Sequence, residues 1–412
     1  MPASGAVTIS AADLPDPSAA SADDDGVGGG TIGAWCAVFL RRAGLRRVVL
    51  LEAGTLGKGA SSRAAGMVRA QGGTETAVRL GLWTRDFYRG QRDELPLDSG
   101  FVEQGYCMPC FTESEVEQAH ARIAMQQALG LDVRWLTGPE FDELNPAVAP
   151  GRTLGSSYAP GDGWIDPPRN VLAYTAALVS TGVEVWEGVS FTGLRTAGGQ
   201  VTGVDTSAGP IDTERVVLTG GPQLAEVGRL AGGRVHAGGT RHQVVVTEPH
   251  PDLAPERLPM VFDVQAGIYW RPEEGGLLWG MSNPEEPPGE AREFDHGYFA
   301  TMRSRVADLV PVTAKLGLRR TWAATIDFTP DHLPILGPLL TDDGPVAGTV
   351  VAAAGGHGMM WGPAVSRAAA DLAVAGRTDV VDVTDLGLDR FDAEGRSRLD
   401  PDPIALPFPE RT

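Results

Sequence analysis

The chain has 412 residues, 42% hydrophobic and 21% charged, with 54 glycines and 31 prolines. At about 150 residues per domain this makes two or three globular domains with many turns, and it excludes wholesale disorder. With 34 Lys and Arg against 53 Asp and Glu, the net charge of −19 excludes nucleic acid and anionic membranes as partners, because it offers no basic stripe to a phosphate backbone.

From the amino end, residues 1 to about 22 are rich in Ala, Ser, Asp and Pro and predict a loose tail. The first 26 residues carry neither a basic leader nor a continuous apolar run, and no later segment has 18 uncharged apolar residues. Together with only three cysteines, Cys36, Cys107 and Cys110, this predicts a cytoplasmic protein with no membrane segment and no disulfide scaffold.

Gly28-x-Gly30-x-x-Gly33 opens a helix predicted over residues 32 to 43, stopped by Gly44 and followed by a buried strand at Val48 to Leu51. Glu52 comes nineteen residues after Gly33. In this order Gly28 permits a tight turn, Gly30 lets a pyrophosphate approach the backbone, and Gly33 allows close helix packing. The helix N-terminus attracts the anion, and Glu52 accepts hydrogen bonds from an adenosine ribose. Asp23, Asp24 and Asp25 stand where the preceding central strand belongs, although buried carboxylates there are costly. Either that strand is short and irregular or the cofactor is bound less well than the pattern suggests.

Residues 57 to 66 form a second run of small residues, able to bring backbone N–H groups and the Arg63 guanidinium against a phosphate or ring edge; the alternative is a flexible loop. Cys107-Met108-Pro109-Cys110 lacks the further ligands a zinc site needs, with His120 the only nearby candidate, and reads as two packed thiols rather than a redox pair. Helices are predicted over 114 to 129 and 168 to 180, the second opened by Pro167-Pro168 and closed before Gly182. Residues 183 to 218 predict a small antiparallel meander whose last strand runs into Thr219-Gly220-Gly221.

The stretch 241 to 285 is β-rich, with strands at Gln243 to Thr247, Ile268 to Arg271 and Leu277 to Met281. The acidic residues at 252 to 256, and Glu285-Glu286, read as solvated loops rather than a metal site. A last apolar strand, Thr349 to Ala354, ends in Gly355-Gly356-His357-Gly358, and an Ala-rich helix runs from Pro363 to Gly376. This helix start can stabilise negative charge on a cofactor, and His357 is either packed or catalytic.

The blocks Gly28 to Gly33 with Glu52, Gly59-Ala60-Ser61-Ser62-Arg63, Thr329-Pro330-Asp331-His332-Leu333-Pro334-Ile335-Leu336-Gly337-Pro338 and Gly356-His357-Gly358 occur in order. Over residues 26 to 378 the chain resembles the D-amino-acid-oxidase superfamily of FAD enzymes, nearest its sarcosine oxidase, glycine oxidase and dimethylglycine dehydrogenase branch. The resemblance implies an α/β, glutathione-reductase-type architecture. A Rossmann-like FAD-binding domain would be assembled from residues 23–95, 152–235 and 320–395. A mostly antiparallel substrate domain would take residues 96–151 and 236–319, leaving a C-terminal tail at 396–412. The implied activity is oxidation of the C–N bond of an amine or amino acid by hydride transfer to flavin N5, giving an imine that water hydrolyses.

Cofactor contacts are implied for Gly28, Gly30, Thr31, Ile32 and Gly33, for Glu52 and Ala53, and for Ala60, Ser61, Ser62, Arg63, Ala65, Gly66 and Met67. Val189 lies where relatives bracket adenine. Thr219, Gly220 and Gly221 would close around pyrophosphate or ribose, with Pro222 where the family often has an aromatic. Gly356, His357, Gly358 and Met359 would face the flavin. Relatives that carry FAD covalently do so on a cysteine near the Thr-Pro-Asp block or on a histidine after the Arg63-type block. Here Arg320 to Ala323 and Met67 to Ala70 offer neither, so non-covalent FAD is expected.

The family's oxygen-activating lysine falls on Leu278, its neighbouring histidine on Ser282, and its second, carboxylate-holding lysine on Met360. Arg69 matches a carboxylate-binding arginine. The candidate catalytic positions are therefore Arg69, Ser282, His357 and Met360, with oxygen or another electron acceptor. A pocket of Met359, Met360, Trp361, Trp279 and Tyr269 suggests a bulkier secondary or cyclic amine, or an amino acid. The rival readings are a nicotinamide-dependent dehydrogenase using the first glycine motif alone, and a flavin-fold assembly protein with weakened catalysis.

Overall fold

The computed structural model describes residues 28–253 and 258–404, and the backbone of residues 6–11. Eight α-helices among the described residues are α1 Thr31–Arg42, α2 Glu75–Glu94, α3 Glu113–Ala128, α4 Gly138–Leu144, α5 Pro167–Thr181, α6 Leu224–Leu230, α7 Phe299–Leu309 and α8 Gly362–Ala375. None of the described helices is long and apolar enough to cross a membrane.

One eight-stranded sheet runs in the order Phe191–Ala197, Gln200–Thr206, Gly209–Thr219, Ala6–Ala11, Val49–Glu52, Glu184–Glu187. Thr349–Ala353 joins it in parallel beside Gly209–Thr219, and Val49–Glu52 pairs in parallel with Glu184–Glu187. Helix α1 is apolar on nearly every side and buried from Ala34 to Leu40, which suits a helix covered by both sheet and neighbouring helices. It packs with α5 and α8 in one core through Trp35, Tyr174, Ala364 and Ala368. The opposite face of the sheet is closed by Leu224, Val227 and Phe191.

The helix punctuation follows the sequence signals. Asp166 caps α5, its side chain accepting from Arg169 N–H at 3.1 Å ahead of Pro167, and Gly182 ends it at φ 71°. Gly376 ends α8 in the same left-handed conformation. Helix α2 is absent from the expectations because Gly81 and Gly90 break its pattern and its mean hydropathy is low. Thr74 caps it, accepting from Ala77 N–H at 3.2 Å.

The second eight-stranded sheet runs Leu318–Phe328, Gly238–Thr247, Gly276–Ser282, Ile268–Glu273, Met260–Asp263, Tyr106–Cys110, Gly155–Ala159, Arg134–Thr137. All its pairings are antiparallel except that of Met260–Asp263 with Tyr106–Cys110. Side chains alternate across it. Val244, Val246 and Leu278 face Met67 and Phe262, while Val245, Leu277, Trp279 and Met281 face α7 on the other side.

Several expectations differ from this arrangement. The slot of the first strand is filled by Ala6–Ala11, inside the segment expected as a tail, and it runs antiparallel to both neighbours. Its sequence is uncharged and β-branched, which suits a ladder between two strands; Asp23, Asp24 and Asp25 lie outside the described residues. Gly155–Ala159 and Leu318–Phe328 belong to the second sheet although the expected boundaries at 152 and 320 put most of them in the cofactor domain. The C-terminal residues 396–404 are not a free tail, since Asp402 is 3% and Ile404 1% exposed. They pack because Ile404 joins an apolar cluster.

Gly81 sits where α2 crosses the chain at Arg69 and Ala70. A Cβ there would stand 2.7 Å from both Ala70 Cα and Arg69 O. Gly81→Ala is therefore expected to cost about 1–3 kcal/mol by overpacking, read as a lower urea midpoint with an unchanged slope.

Candidate active site

The chain termini of several elements converge on one cleft of about 1120 Å³ between the two sheets. Its cofactor-sheet wall is formed by Gly28 and Gly30–Gly33, by Thr219–Pro222 and by Gly356–Met360. The crossing segment contributes Ala60, Ser61, Ala64–Met67 and Arg69. The second sheet contributes Tyr106, His242, Phe262, Tyr269, Ile326 and Asp327.

Two helix N-termini open on this cleft, those of α1 and α8, and neither Gly30 nor Trp361 at their N-cap positions supplies a side-chain cap. Ser61 Oγ accepts from Thr31 N–H at 3.0 Å, which ties the small-residue run to the first turn of α1. Glu52 folds back on the glycine loop. Its carboxylate accepts from the N–H groups of Gly28 and Gly29, and from Gly54 N–H at 2.8 Å. Burial raises its pKa to about 7 in spite of these donors. Two buried oxygens of lining residues, Thr219 Oγ1 and Asp327 Oδ2, have no hydrogen-bond partner. Two positive helix ends together with orphaned oxygens fit an extended dinucleotide that brings both anionic and donor groups.

On the substrate side, Arg69 is 3% exposed. Its Nη1 donates to Gln71 O and its Nη2 to Ile404 O, the latter at 2.9 Å, and its guanidinium lies 5.7 Å from the Phe262 ring centroid. No carboxylate of the described residues forms an ion pair with it. Behind Tyr269 runs a hydrogen-bonded chain in which the Tyr269 hydroxyl meets His242 Nε2 at 2.5 Å and His242 Nδ1 meets Ser282 Oγ at 2.8 Å. Burial lowers the His242 pKa to about 4 and raises that of Tyr269, so both are neutral near pH 7. His357 is also held well below its ordinary value by burial, with the Arg69 and His332 charges adding to the effect. Its Nδ1 faces Gly355 O at 3.2 Å and its ring stacks 4.0 Å from that of Trp361.

Of the residues expected at the cofactor, Gly28, Gly30, Thr31, Ile32, Gly33, Ala60, Ser61, Ala65, Gly66 and Met67 line the cleft. So do Thr219, Gly220, Gly221, Gly356, His357, Gly358 and Met359, and so do Arg69 and Met360. Glu52, Ala53, Ser62, Arg63 and Val189 stand outside the lining. Arg63 meets the second sheet instead, its carbonyl accepting from Trp322 Nε1 at 2.7 Å. Ser282 acts on the cleft only through His242. Trp279 is turned to the far face of its sheet by strand alternation, and Trp361 lies in the α1–α8 core beneath His357.

Tyr106, His242, Phe262 and Asp327 are lining residues the sequence analysis did not single out. Neither His242 nor Asp327 stood out in the sequence, since each shares its strand with other polar residues, Arg241 and Gln243 in one case and Arg319, Arg320 and Thr325 in the other. Cys107 and Cys110 are buried free thiols, Cys110 raised to about 11 and Cys107 raised further by burial, so neither is a thiolate near pH 7.

Residues 27–372 match the family model described as DAO, FAD dependent oxidoreductase. The chain belongs to that family of two-domain flavoproteins. It is 28% identical over 383 residues to 4-methylaminobutanoate oxidase (formaldehyde-forming) of Paenarthrobacter nicotinovorans, covering 90% of this chain but 46% of that protein. It is 32% identical over 321 residues to glycine oxidase of Geobacillus kaustophilus, covering 76% of this chain and 82% of that one. The crystal structure of L-proline dehydrogenase from P. horikoshii superposes with a TM-score of 0.78 at 24% identity, over 86% of this chain and 93% of that chain, a likeness of fold. The chain thus spans less than half the length of the first of these relatives.

The raised pKa of Glu52 makes stability pH-dependent. A carboxyl that ionises at about 7 when folded, against an ordinary 4.5, favours the fold below pH 4.5 and loses that contribution as pH rises through 7. Flavin-free protein should lose about 3 kcal/mol at most over this window. A Glu52→Gln variant should show a flatter profile of Tm against pH; an unchanged profile would mean that the carboxyl does not titrate there.

Proposed function

We infer that the chain oxidises the C–N bond of a small amine or amino acid that carries a carboxylate, using FAD held without a covalent link. The observation that carries this reading is Arg69, a buried guanidinium that forms no ion pair among the described residues, on the wall of a cleft flanked by two helix N-termini. Bound FAD supplies the two-electron acceptor for the hydride leaving the substrate carbon. The names of the relatives, 4-methylaminobutanoate oxidase and glycine oxidase, describe amines that carry a carboxylate, which supports the same class here.

Arg69 would take the substrate carboxylate through its remaining donors in bidentate fashion. Met359, Met360, Tyr106 and Phe262 would exclude water around the rest of the molecule and favour a bulkier amine than glycine. Neutral His242 and Tyr269 suit an amine that must itself be neutral to release hydride. In one tautomer His242 Nε2 accepts from Tyr269. In the other it donates, freeing the Tyr269 hydroxyl proton for the cleft, while Ser282 donates to Nδ1. The positive end of α8 lies where negative charge on the reduced cofactor would be stabilised. A nicotinamide enzyme using only the first glycine turn leaves this second helix start without a role. Oxygen or another acceptor would reoxidise the cofactor, and the cytoplasm is the proposed compartment.

Purified protein should be yellow, release its flavin on acid denaturation, and be bleached anaerobically by one member of a panel of secondary amines and amino acids. A colourless protein, or flavin that no amine reduces, would count against the assignment. Arg69→Met removes a charge-assisted pair worth roughly 1.5–3 kcal/mol. It should raise KM for the carboxylate substrate by roughly 10- to 150-fold, with flavin content unchanged.

Because no histidine lining the cleft titrates near neutrality, the acid limb of kcat/KM should follow the ammonium pKa of the substrate. Two substrates whose amine pKa values differ by about one unit should shift the limb by the same amount. His242→Gln should leave its position unchanged. A limb fixed in pH for both substrates would point to an enzyme group instead.

A further inference from the structure

The C-terminal residues are threaded onto the substrate side of the cleft from a buried ion pair. Arg390 Nε and Nη2 donate to the two carboxylate oxygens of Asp331 at 2.7 and 3.0 Å, with both side chains almost wholly buried. Ser397 Oγ donates to Asp331 Oδ2 at 2.6 Å, and Asp402 N–H reaches the Asp331 carbonyl at 3.2 Å. A single residue thus holds the chain at 390, 397 and 402. Asp402 Oδ1 then accepts from Ile404 N–H at 3.0 Å, a local turn that aims the Ile404 carbonyl oxygen at Arg69 Nη2, 2.9 Å away. The Ile404 side chain is buried in one cluster with Met67, Tyr106, Phe262 and Tyr269, all of which line the cleft.

The anchoring is of a particular kind. Gln71 O and Ile404 O are neutral acceptors, so these two hydrogen bonds orient the guanidinium without forming an ion pair; the buried Asp402 and Asp162 carboxyls feel its charge but do not pair with it directly. The segment also fits tightly against Gly73, where a Cβ would stand 2.1 Å from Asp402 Oδ1 and 2.6 Å from Pro403 Cδ.

We propose that the segment Asp402–Ile404 is a specificity-determining strap that positions Arg69 for a carboxylate through the Ile404 carbonyl oxygen. It acts through Arg69 and so rests on the assignment of Arg69 as the carboxylate-binding residue. Without the strap, the guanidinium turns on its flexible stem and the paired donors lose their common plane. Recognition of the carboxylate weakens while the apolar walls still bind the rest of a ligand.

The test uses the full-length flavin-loaded protein and two probes without an oxidisable amine, methoxyacetate and its neutral analogue methoxyacetamide, titrated by the perturbation of flavin absorbance. Gly73→Ala pushes the strap outward and Ile404→Ala loosens its anchor; Arg69→Met is the control. Both strap variants should raise Kd for methoxyacetate by about tenfold or more and leave that for methoxyacetamide within about twofold, with flavin content unchanged. If Gly73→Ala does not accumulate as folded protein, Ile404→Ala decides alone. Methoxyacetate affinity unchanged in the strap variants but lost in Arg69→Met would overturn the strap and leave the role of Arg69 standing. Equal losses for both probes would mean a general collapse of the wall and would overturn it too. Affinity unchanged in Arg69→Met would overturn the carboxylate assignment and the strap with it.

Discussion

Two helices of 12 and 14 residues bring their N-termini to the same cleft, and neither N-cap residue, Gly30 or Trp361, supplies a capping side chain. Each helix start carries the equivalent of about half a positive charge, which the Ser61 and Thr84 hydroxyls meet only as neutral acceptors. A molecule with anionic groups placed near both ends meets both charges together. Glu52 already illustrates the pull of such N–H groups, since its carboxylate bends back onto Gly28 and Gly29 N–H, although burial there makes it harder to ionise in spite of these donors. The two sheets, the Ala-rich α1–α8 contact and the crossing segment at 60–69 can be understood as the scaffold that holds these two ends at a fixed separation.

What was legible in the sequence was local. Glycines that end strands, Pro167 and Pro363 at helix starts, and Gly182 and Gly376 at helix ends act within a few residues, so spacing alone locates them. The cofactor wall consists almost entirely of such features. The substrate wall does not. His242 meets Ser282 because the strands Gly238–Thr247 and Gly276–Ser282 pair in one register, forty residues apart in the chain. Tyr269 joins them from a third strand. Parity along Gly276–Ser282 distinguishes Leu278 from Trp279 but does not say which face meets the cofactor, and the large aromatic turned out to be core. Helix α2 was obscured for a related reason. Gly81, which weakens its pattern, is required by a contact with the Arg69–Ala70 backbone that only the fold creates.

The electrostatics of the substrate wall are one-sided. Both histidines are driven neutral by burial, and Tyr269 is held as a phenol. Arg69 is left as the one Lys or Arg among the lining residues. Burying such a charge without an ion pair is costly, and the structure meets part of that cost with two backbone carbonyls and with the nearby buried carboxyls of Asp402 and Asp162. The lining thus offers one buried guanidinium to an incoming anion, with the Asp327 carboxyl as its one acidic side chain.

The Thr329-Pro330-Asp331 block acquires a physical meaning from the same reasoning. Asp331 does not line the cleft, and its carboxylate is spent on Arg390 and Ser397. A buried pair of this sort adds little net stability compared with an apolar substitute, but it holds distant segments in one register. From Asp331 the connection passes to Asp402, then to Ile404, then to the Arg69 guanidinium. Precision at a flexible arginine is thus obtained from backbone carbonyls whose positions are set by a carboxylate on another segment. The part of the molecule that looks most like a loose end in the sequence is therefore coupled to the one guanidinium that lines the cleft.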